Sequence, residues 1–322
     1  MRLLSLPYPH LHETIKSYLS RILKENNYQN ISMIHYVLNL TKNIEDYTMN
    51  EQQEIFKQTL SLPIDQIRRM FYSEETFSMV KKNEFLKQIA FLNKKIKVCP
   101  ECLEDKMYYR NIWRFVGYTT CHLHHYLMVS ECECGREIES VSVNLGICKC
   151  RRDLRDAKRM YIEQKEDNHN LYFYSILMNS KNDDTALSSY LNPFSVDAVI
   201  ELMFKLANLL DERKIKKLSR YQGHAEDIIL LHRHLEEVYE ILIDPSQNIC
   251  AFFEKLNQDV FYEELLELYS DLNREPFMKI SRAMKSYIQK RKAQGNFHNA
   301  HFQEEIEDIL LNAISHKKEI EF

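Results

Sequence analysis

Cys99-Pro100-Glu101-Cys102, Cys121-His122-Leu123-His124, Cys132-Glu133-Cys134-Gly135 and Cys148-Lys149-Cys150 decide how this chain is read. Seven of its eight cysteines fall in this one window. The spacing is C-x2-C-x18-C-x2-H followed by C-x-C-x13-C-x-C, two quartets that each consist of two close ligand pairs joined by a loop. Tetrahedral Zn²⁺ takes four such ligands. The spacing therefore predicts two Zn²⁺ ions. Cys99, Cys102, Cys121 and His124 would hold one, and Cys132, Cys134, Cys148 and Cys150 the other. His122 and His125 flank His124 and compete with it for the fourth position of the first set. A cross-braced partition, with Cys99 and Cys102 sharing an ion with Cys132 and Cys134, is the alternative to sequential pairing.

Both sets are closed by four protein ligands, whereas a catalytic zinc keeps a position open for water. The ions are thus expected to be structural, folding a segment too poor in apolar residues to fold by itself. Structural zinc contributes on the order of 10 kcal/mol at neutral pH. Gly135 follows one cysteine knuckle and Gly146 precedes the next, in a chain with only five glycines. Such turns favour positive φ, which glycine adopts without a steric penalty. Disulfides are disfavoured because the opening Met1-Arg2-Leu3-Leu4-Ser5-Leu6-Pro7 does not read as a signal peptide. A cytoplasmic location is expected, where clustered thiols stay reduced. No apolar run reaches the roughly 18 residues of a membrane span. Cys250 stands alone and reads as a small buried hydrophobe.

Upstream of the cysteines the pattern is helical. Ile15, Tyr18, Leu19, Ile22 and Leu23 form one apolar stripe. A short helix follows Asn30 or Ser32. Asn50 is placed as the cap of a helix through Ile55 and Leu60. Ser61-Leu62-Pro63 then turns into a helix bearing Ile64, Ile67, Met70 and Phe71. Residues 50–73 have helix-turn-helix proportions, with Arg68 and Arg69 on the second helix as candidate nucleic-acid contacts.

Downstream, 197–210, 227–242 and 263–272 carry apolar residues at helical spacing and are expected to form one core. The part up to residue 155 is net basic and the remainder net acidic, so a uniformly basic nucleic-acid coat is excluded. One segment breaks the acidic trend: between Pro276 and Phe302 there is no acidic residue. Lys279, Arg282 and Lys285 there are candidate phosphate contacts on an amphipathic helix. No phosphate loop, H-E-x-x-H, nucleophile elbow or dinucleotide fingerprint occurs. The enzymatic rival is a zinc-containing nuclease that uses His122 or His125. The fold expected is mainly α: an N-terminal helix-turn-helix region over 1–95, a central tandem zinc-binding module with short strands over 96–155, and a C-terminal α-helical domain over 156–322.

The string Cys99-Pro100-x-Cys102-Leu103, Tyr109-Arg110-x-x-Trp113, Cys121-His122-x-His124, Cys132-x-Cys134-Gly135 resembles the TniQ/TnsD family. Pro7, Pro9, Glu13, Ser17 and Arg21 are similar to that family's opening. The likeness is close over 1–155 and looser beyond, where Asp244-Pro245 and Phe252-Phe253 are similar to a weaker family pattern. The resemblance implies a target-site selector of a bacterial transposon, with no catalysis of its own. It implies two Zn²⁺ and recruitment of the AAA+ ATPase TnsC. It also implies either direct binding of target DNA or, as a homodimer, association with CRISPR Cascade proteins and their guide RNA. The short chain and its acidic second half favour the Cascade-associated type over the TnsD-like direct DNA binder. Between the ligand pairs, Arg110, Trp113 and Arg114 are candidate partner contacts, with packing over the metal loop as the other role for Trp113.

Overall fold

The protein is described here from a computed structural model covering residues 5–28, 30, 32–41, 44, 49–68, 70–71, 91–92, 95–139, 145–178, 195–210, 225–244, 248 and 251–252, with 280, 282, 285–286, 289–290 and 293. It is mainly helical. Eight α-helices can be followed among the described residues: α1 Ile15–Glu25, α2 Ser32–Val37, α3 Met49–Leu60, α4 Ile64–Arg68, α5 Pro100–Asp105, α6 Asn168–Met178, α7 Val196–Leu209 and α8 Ala225–Ile243. Extended backbone pairs only through isolated antiparallel bridges in these residues. None of their helices is long and apolar enough to cross a membrane.

Helix α1 begins where Thr14 accepts a hydrogen bond from the Ser17 N–H at 3.1 Å, an N-cap that satisfies one of the first-turn donors. It ends at Asn27, whose φ of 56° lets Tyr28 N–H reach back to the Leu23 carbonyl at 2.8 Å. That is the left-handed stop by which many helices satisfy their last carbonyls. Tyr18, Leu19, Ile22 and Leu23 face inward and meet Phe56 and Leu60 of α3, Leu62 of the turn and Ile67 of α4 in one core. The α3–turn–α4 pair thus packs its apolar stripes on α1. Asn50 lies inside α3, which begins one residue earlier, so it is not the cap. Helix α4 has five described residues and ends at the exposed Arg68.

The chain divides into two compact units. The first comprises 1–185 with 217–233, and so holds the cysteine segment, α6 and the first half of α8. Within it α6 packs on the cysteine segment: Phe173 meets Phe115 edge to face at 4.9 Å, and Thr119 N–H donates to Asn170 Oδ1 at 2.8 Å. The second unit comprises 186–216 and 234–322. Its described core is built from Val199, Ile200, Met203, Phe204 and Leu206 of α7 and from Leu235, Val238 and Leu242 of α8. The expected apolar helix at 263–272, Cys250, Arg69 and Lys279 lie outside the described residues.

Candidate metal centre

Each cysteine is delivered by a tight local turn. Cys99 precedes α5, where Pro100 occupies the first helical position and lacks only an N–H that would be unpaired there. Cys102 follows within the first turn. Its partner pair sits on a loop in which Cys121 N–H donates to the Tyr126 carbonyl at 2.8 Å and His125 N–H to the Cys121 carbonyl at 2.7 Å. His125, at φ 55°, closes that loop. The other pairs use the same device. Cys132 N–H donates to the Arg136 carbonyl and Gly135 N–H to Cys132, both at 2.8 Å. Cys148 N–H donates to the Arg152 carbonyl at 2.9 Å, and Arg151 N–H to Cys148 at 2.8 Å. The left-handed residue is Gly135 in one knuckle (φ 78°) and Arg151 in the other (φ 73°).

These turns bring the eight residues into two groups that can each hold a metal ion: Cys99, Cys102, Cys121 and His124, and Cys132, Cys134, Cys148 and Cys150. The partition is sequential, not cross-braced. In the first group Cys102 and Cys121 sulfurs are 3.5 Å apart, and His124 Nδ1 lies 3.5, 3.3 and 3.6 Å from the sulfurs of Cys99, Cys102 and Cys121. In the second, Cys132–Cys150 and Cys134–Cys148 sulfurs are each 3.7 Å apart. A tetrahedral ion with metal–sulfur bonds of 2.3 Å sets its sulfurs about 3.8 Å apart, so both groups have the dimensions the donor set requires.

The cysteines of the first group are buried with His124 partly exposed, and the second group lies nearer the surface, with Cys134 exposed. Thiols this close compete for protons. Hydrogen bonding to Cys121 pushes the Cys102 thiol well up, while hydrogen bonds from Cys102 and Cys99 pull Cys121 down. In the second group burial raises Cys132 to about 12, whereas the Arg152 backbone N–H helps hold Cys150 at about 7. A divalent cation replaces this sharing of protons by binding all of the sulfurs as thiolates.

His124 uses Nδ1 toward the sulfurs and turns Nε2 to Asp105 Oδ2 at 3.2 Å. A carboxylate on the far nitrogen fixes the tautomer and ring orientation of a ligating imidazole. The other two histidines point elsewhere. His122 Nδ1 lies 2.6 Å from the Tyr118 hydroxyl and its ring stacks on Tyr174 at 3.7 Å. Burial lowers its pKa to about 4. His125 Nδ1 faces Asp167 Oδ2 at 3.8 Å.

The proposed contact residues fall into different settings. Trp113 is fully buried, 6.2 Å from the Tyr109 ring, and offers no surface to a partner. Large aromatic area contributes most when buried, and Trp113 spends its area inside the protein. Arg110 is half-buried, its guanidinium 4.5 Å above the Tyr108 ring and 5.0 Å above Trp113. Arg114 Nε donates to the Leu92 carbonyl at 3.1 Å. Arg68 and Arg282 are exposed and Lys285 half-buried.

Asp105 and the buried Glu13 make contacts beside the first group and on α1 that spacing did not single out. Glu13 accepts from Ser17 Oγ at 2.8 Å, Arg21 Nη1 at 2.5 Å and His10 N–H at 3.0 Å. It locks the opening segment onto α1. The Thr14 N–H then donates to the Tyr109 carbonyl at 2.8 Å, and Asn111 N–H to the His12 carbonyl at 2.8 Å, joining this segment to the metal loop.

Two closed sets of cysteine and histidine donors, each able to hold a metal ion, thus stand against a small helical core. Residues 5–128 match the sequence model of the TniQ family, so this stretch of the chain reads as a TniQ domain. The match takes in the first metal group and the Glu13 lock and ends before the second group. A TniQ domain implies a part in target selection for DNA transposition. A comparison with curated proteins returned no match.

Proposed function

We propose that the chain is a recruitment adaptor of transposition, with two structural Zn²⁺ ions and no bond-breaking chemistry of its own. It joins a targeting complex, CRISPR Cascade with its guide RNA, to the AAA+ regulator TnsC at target DNA, and acts as a homodimer in the cytoplasm. The observation that carries this reading is a TniQ domain that contains one closed quartet of possible metal ligands and is followed by a second. Bound zinc would hold the loop between α5 and α6 in one shape, so that flanking surfaces keep a fixed spacing. Two weak contacts made at once through such a scaffold give an effective concentration that neither contact supplies alone.

The test is reconstitution. The full chain is expected to co-purify with Cascade and, separately, with TnsC, and to leave DNA intact with Mg²⁺ or Mn²⁺ added. Failure to bind either assembly overturns the adaptor reading. Metal-dependent cleavage lost in His122→Ala or His125→Ala would favour the nuclease. Tight binding to one DNA sequence without Cascade would favour the TnsD-like direct selector. In that case charge reversal at Arg68, Arg282 and Lys285 should weaken binding and flatten its dependence on salt.

A further inference from the structure

A second kind of donor cluster lies inside the first unit, away from the eight sulfur and imidazole ligands. Asp167, His169 and His232 each place one ligand atom within 4.8 Å of the other two, and all three are buried. They come from two parts of the chain: Asp167 directly precedes α6 and His169 lies in its first turn, while His232 is on α8. His169 Nε2 and His232 Nδ1 converge on one atom, the Thr119 hydroxyl oxygen, at 3.1 and 3.0 Å. The rings themselves are 5.0 Å apart. Thr120 and Asn170 hydrogen-bond to Asp167 Oδ1.

The chemistry of this cluster is that of a metal site. The Asp167 carboxylate is 0% exposed. Thr120 and Asn170 hydrogen-bond to one of its oxygens, and the His125 imidazole stands 3.8 Å from the other. A charge held in the interior is costly unless an opposite charge compensates it, and a divalent cation does so completely. Two imidazoles and a carboxylate are donors that first-row divalent ions favour. Bonds of 2.0–2.1 Å set the ligand atoms of a tetrahedral ion about 3.4 Å apart. The three ligand atoms, all within 4.8 Å of one another, would draw together by up to about 1.4 Å to embrace one.

We propose that Asp167, His169 and His232 form a third metal site, which takes a first-row divalent cation such as Zn²⁺. Bound there, the ion ties α8 to the start of α6 and to the loop that carries Thr119. That loop leads within two residues to Cys121, so the third site braces the first thiolate group from behind. The inference stands independently of any role in transposition.

The test is metal content of the full chain, purified from excess Zn²⁺, desalted and analysed for zinc per polypeptide. Three ions are expected in the wild type, two in His232→Ala and His169→Ala, and three in Thr119→Val, which removes the hydroxyl but no ligand. The ions retained by the thiolate groups act as an internal standard for folding. Two ions in the wild type, or three in His232→Ala, overturn the proposal in favour of a purely hydrogen-bonded Thr–His–His network. If the histidine variants do not fold, anomalous scattering at the zinc edge from wild-type crystals decides. A peak among Asp167, His169 and His232 supports the site, and its absence refutes it.

Discussion

Ser17 and Tyr109 are joined across 92 residues by one hydroxyl group: Ser17 Oγ accepts the Tyr109 N–H at 2.9 Å while donating to the buried Glu13 carboxylate at 2.8 Å. The opening segment, α1 and the metal loop meet at this hydroxyl, beside the backbone hydrogen bonds from Thr14 to Tyr109 and from Asn111 to His12. Ser17→Ala would leave the Tyr109 N–H without its acceptor and remove one of the donors that hold the carboxylate. An orphaned buried group costs about 1–3 kcal/mol. The variant should lose stability by about that amount in urea unfolding, with the denaturant slope unchanged. A loss below a few tenths would show that the junction is slack.

Asp105 sets the second relationship. Its carboxylate meets His124 Nε2 at 3.2 Å, on the ring nitrogen opposite the sulfurs. Such outer partners raise ligand basicity, and removing them typically costs 10–100-fold in metal affinity. Asp105 is largely exposed, so about 10-fold is expected for Asp105→Ala. Competition with a chromophoric chelator should show that loss for one ion and none for the ion of the Cys132/Cys148 group. Equal weakening of both would mean the two groups are not independent.

The two ligand quartets were legible in the sequence because cysteine and histidine at fixed short spacings leave few other readings. The α1 stripe was legible for a similar reason: apolar residues recurring every three or four positions fit one helix face. What periodicity does not carry is contact between distant segments. Glu13, Ser17 and Arg21 stood out only through family likeness. Their shared junction with Tyr109 depends on how the metal loop returns to α1. His169 and His232 lie far apart on two helices, and no spacing links them. Arg151 takes the left-handed turn position that Gly135 fills in the neighbouring knuckle, and an arginine there gives no glycine signal to read.

Gly146 shows how tightly the second group is tied to the rest of the module. Its φ is 75°, its N–H donates to the Tyr109 hydroxyl at 3.2 Å, and an added Cβ would lie 2.5 Å from the Met107 sulfur. Methionine is flexible enough to give way, but the left-handed backbone is not relieved by its movement. Gly146→Ala should therefore destabilise by about 1–2 kcal/mol, the cost of a left-handed turn for an L-residue. Thermal unfolding of the metal-loaded protein measures it. Paired with Met107→Ala, which opens the space, the penalty should shrink but not vanish.

His10 gives the pH dependence a sign. Its ring stacks on Tyr108 at 4.5 Å, and its pKa is lowered to about 4, first by burial and then by the nearby positive charges of Arg21, Lys106 and Arg110. An unfolded chain protonates histidine near 6.5. Between about pH 6.5 and 4 the unfolded state thus binds a proton that the folded state refuses. The stability contributed by neutral His10 is whole above 6.5, is lost as pH falls toward 4, and changes no further below that. His10→Phe keeps the stacked ring and removes the titration. Its stability should fall less steeply across this window, by one proton's worth of slope, when compared with the wild type by urea unfolding at each pH. Acid release of thiolate-bound metal is common to both proteins and cancels in the difference, so parallel profiles would place His10 in a more solvated setting than its stacking on Tyr108 implies.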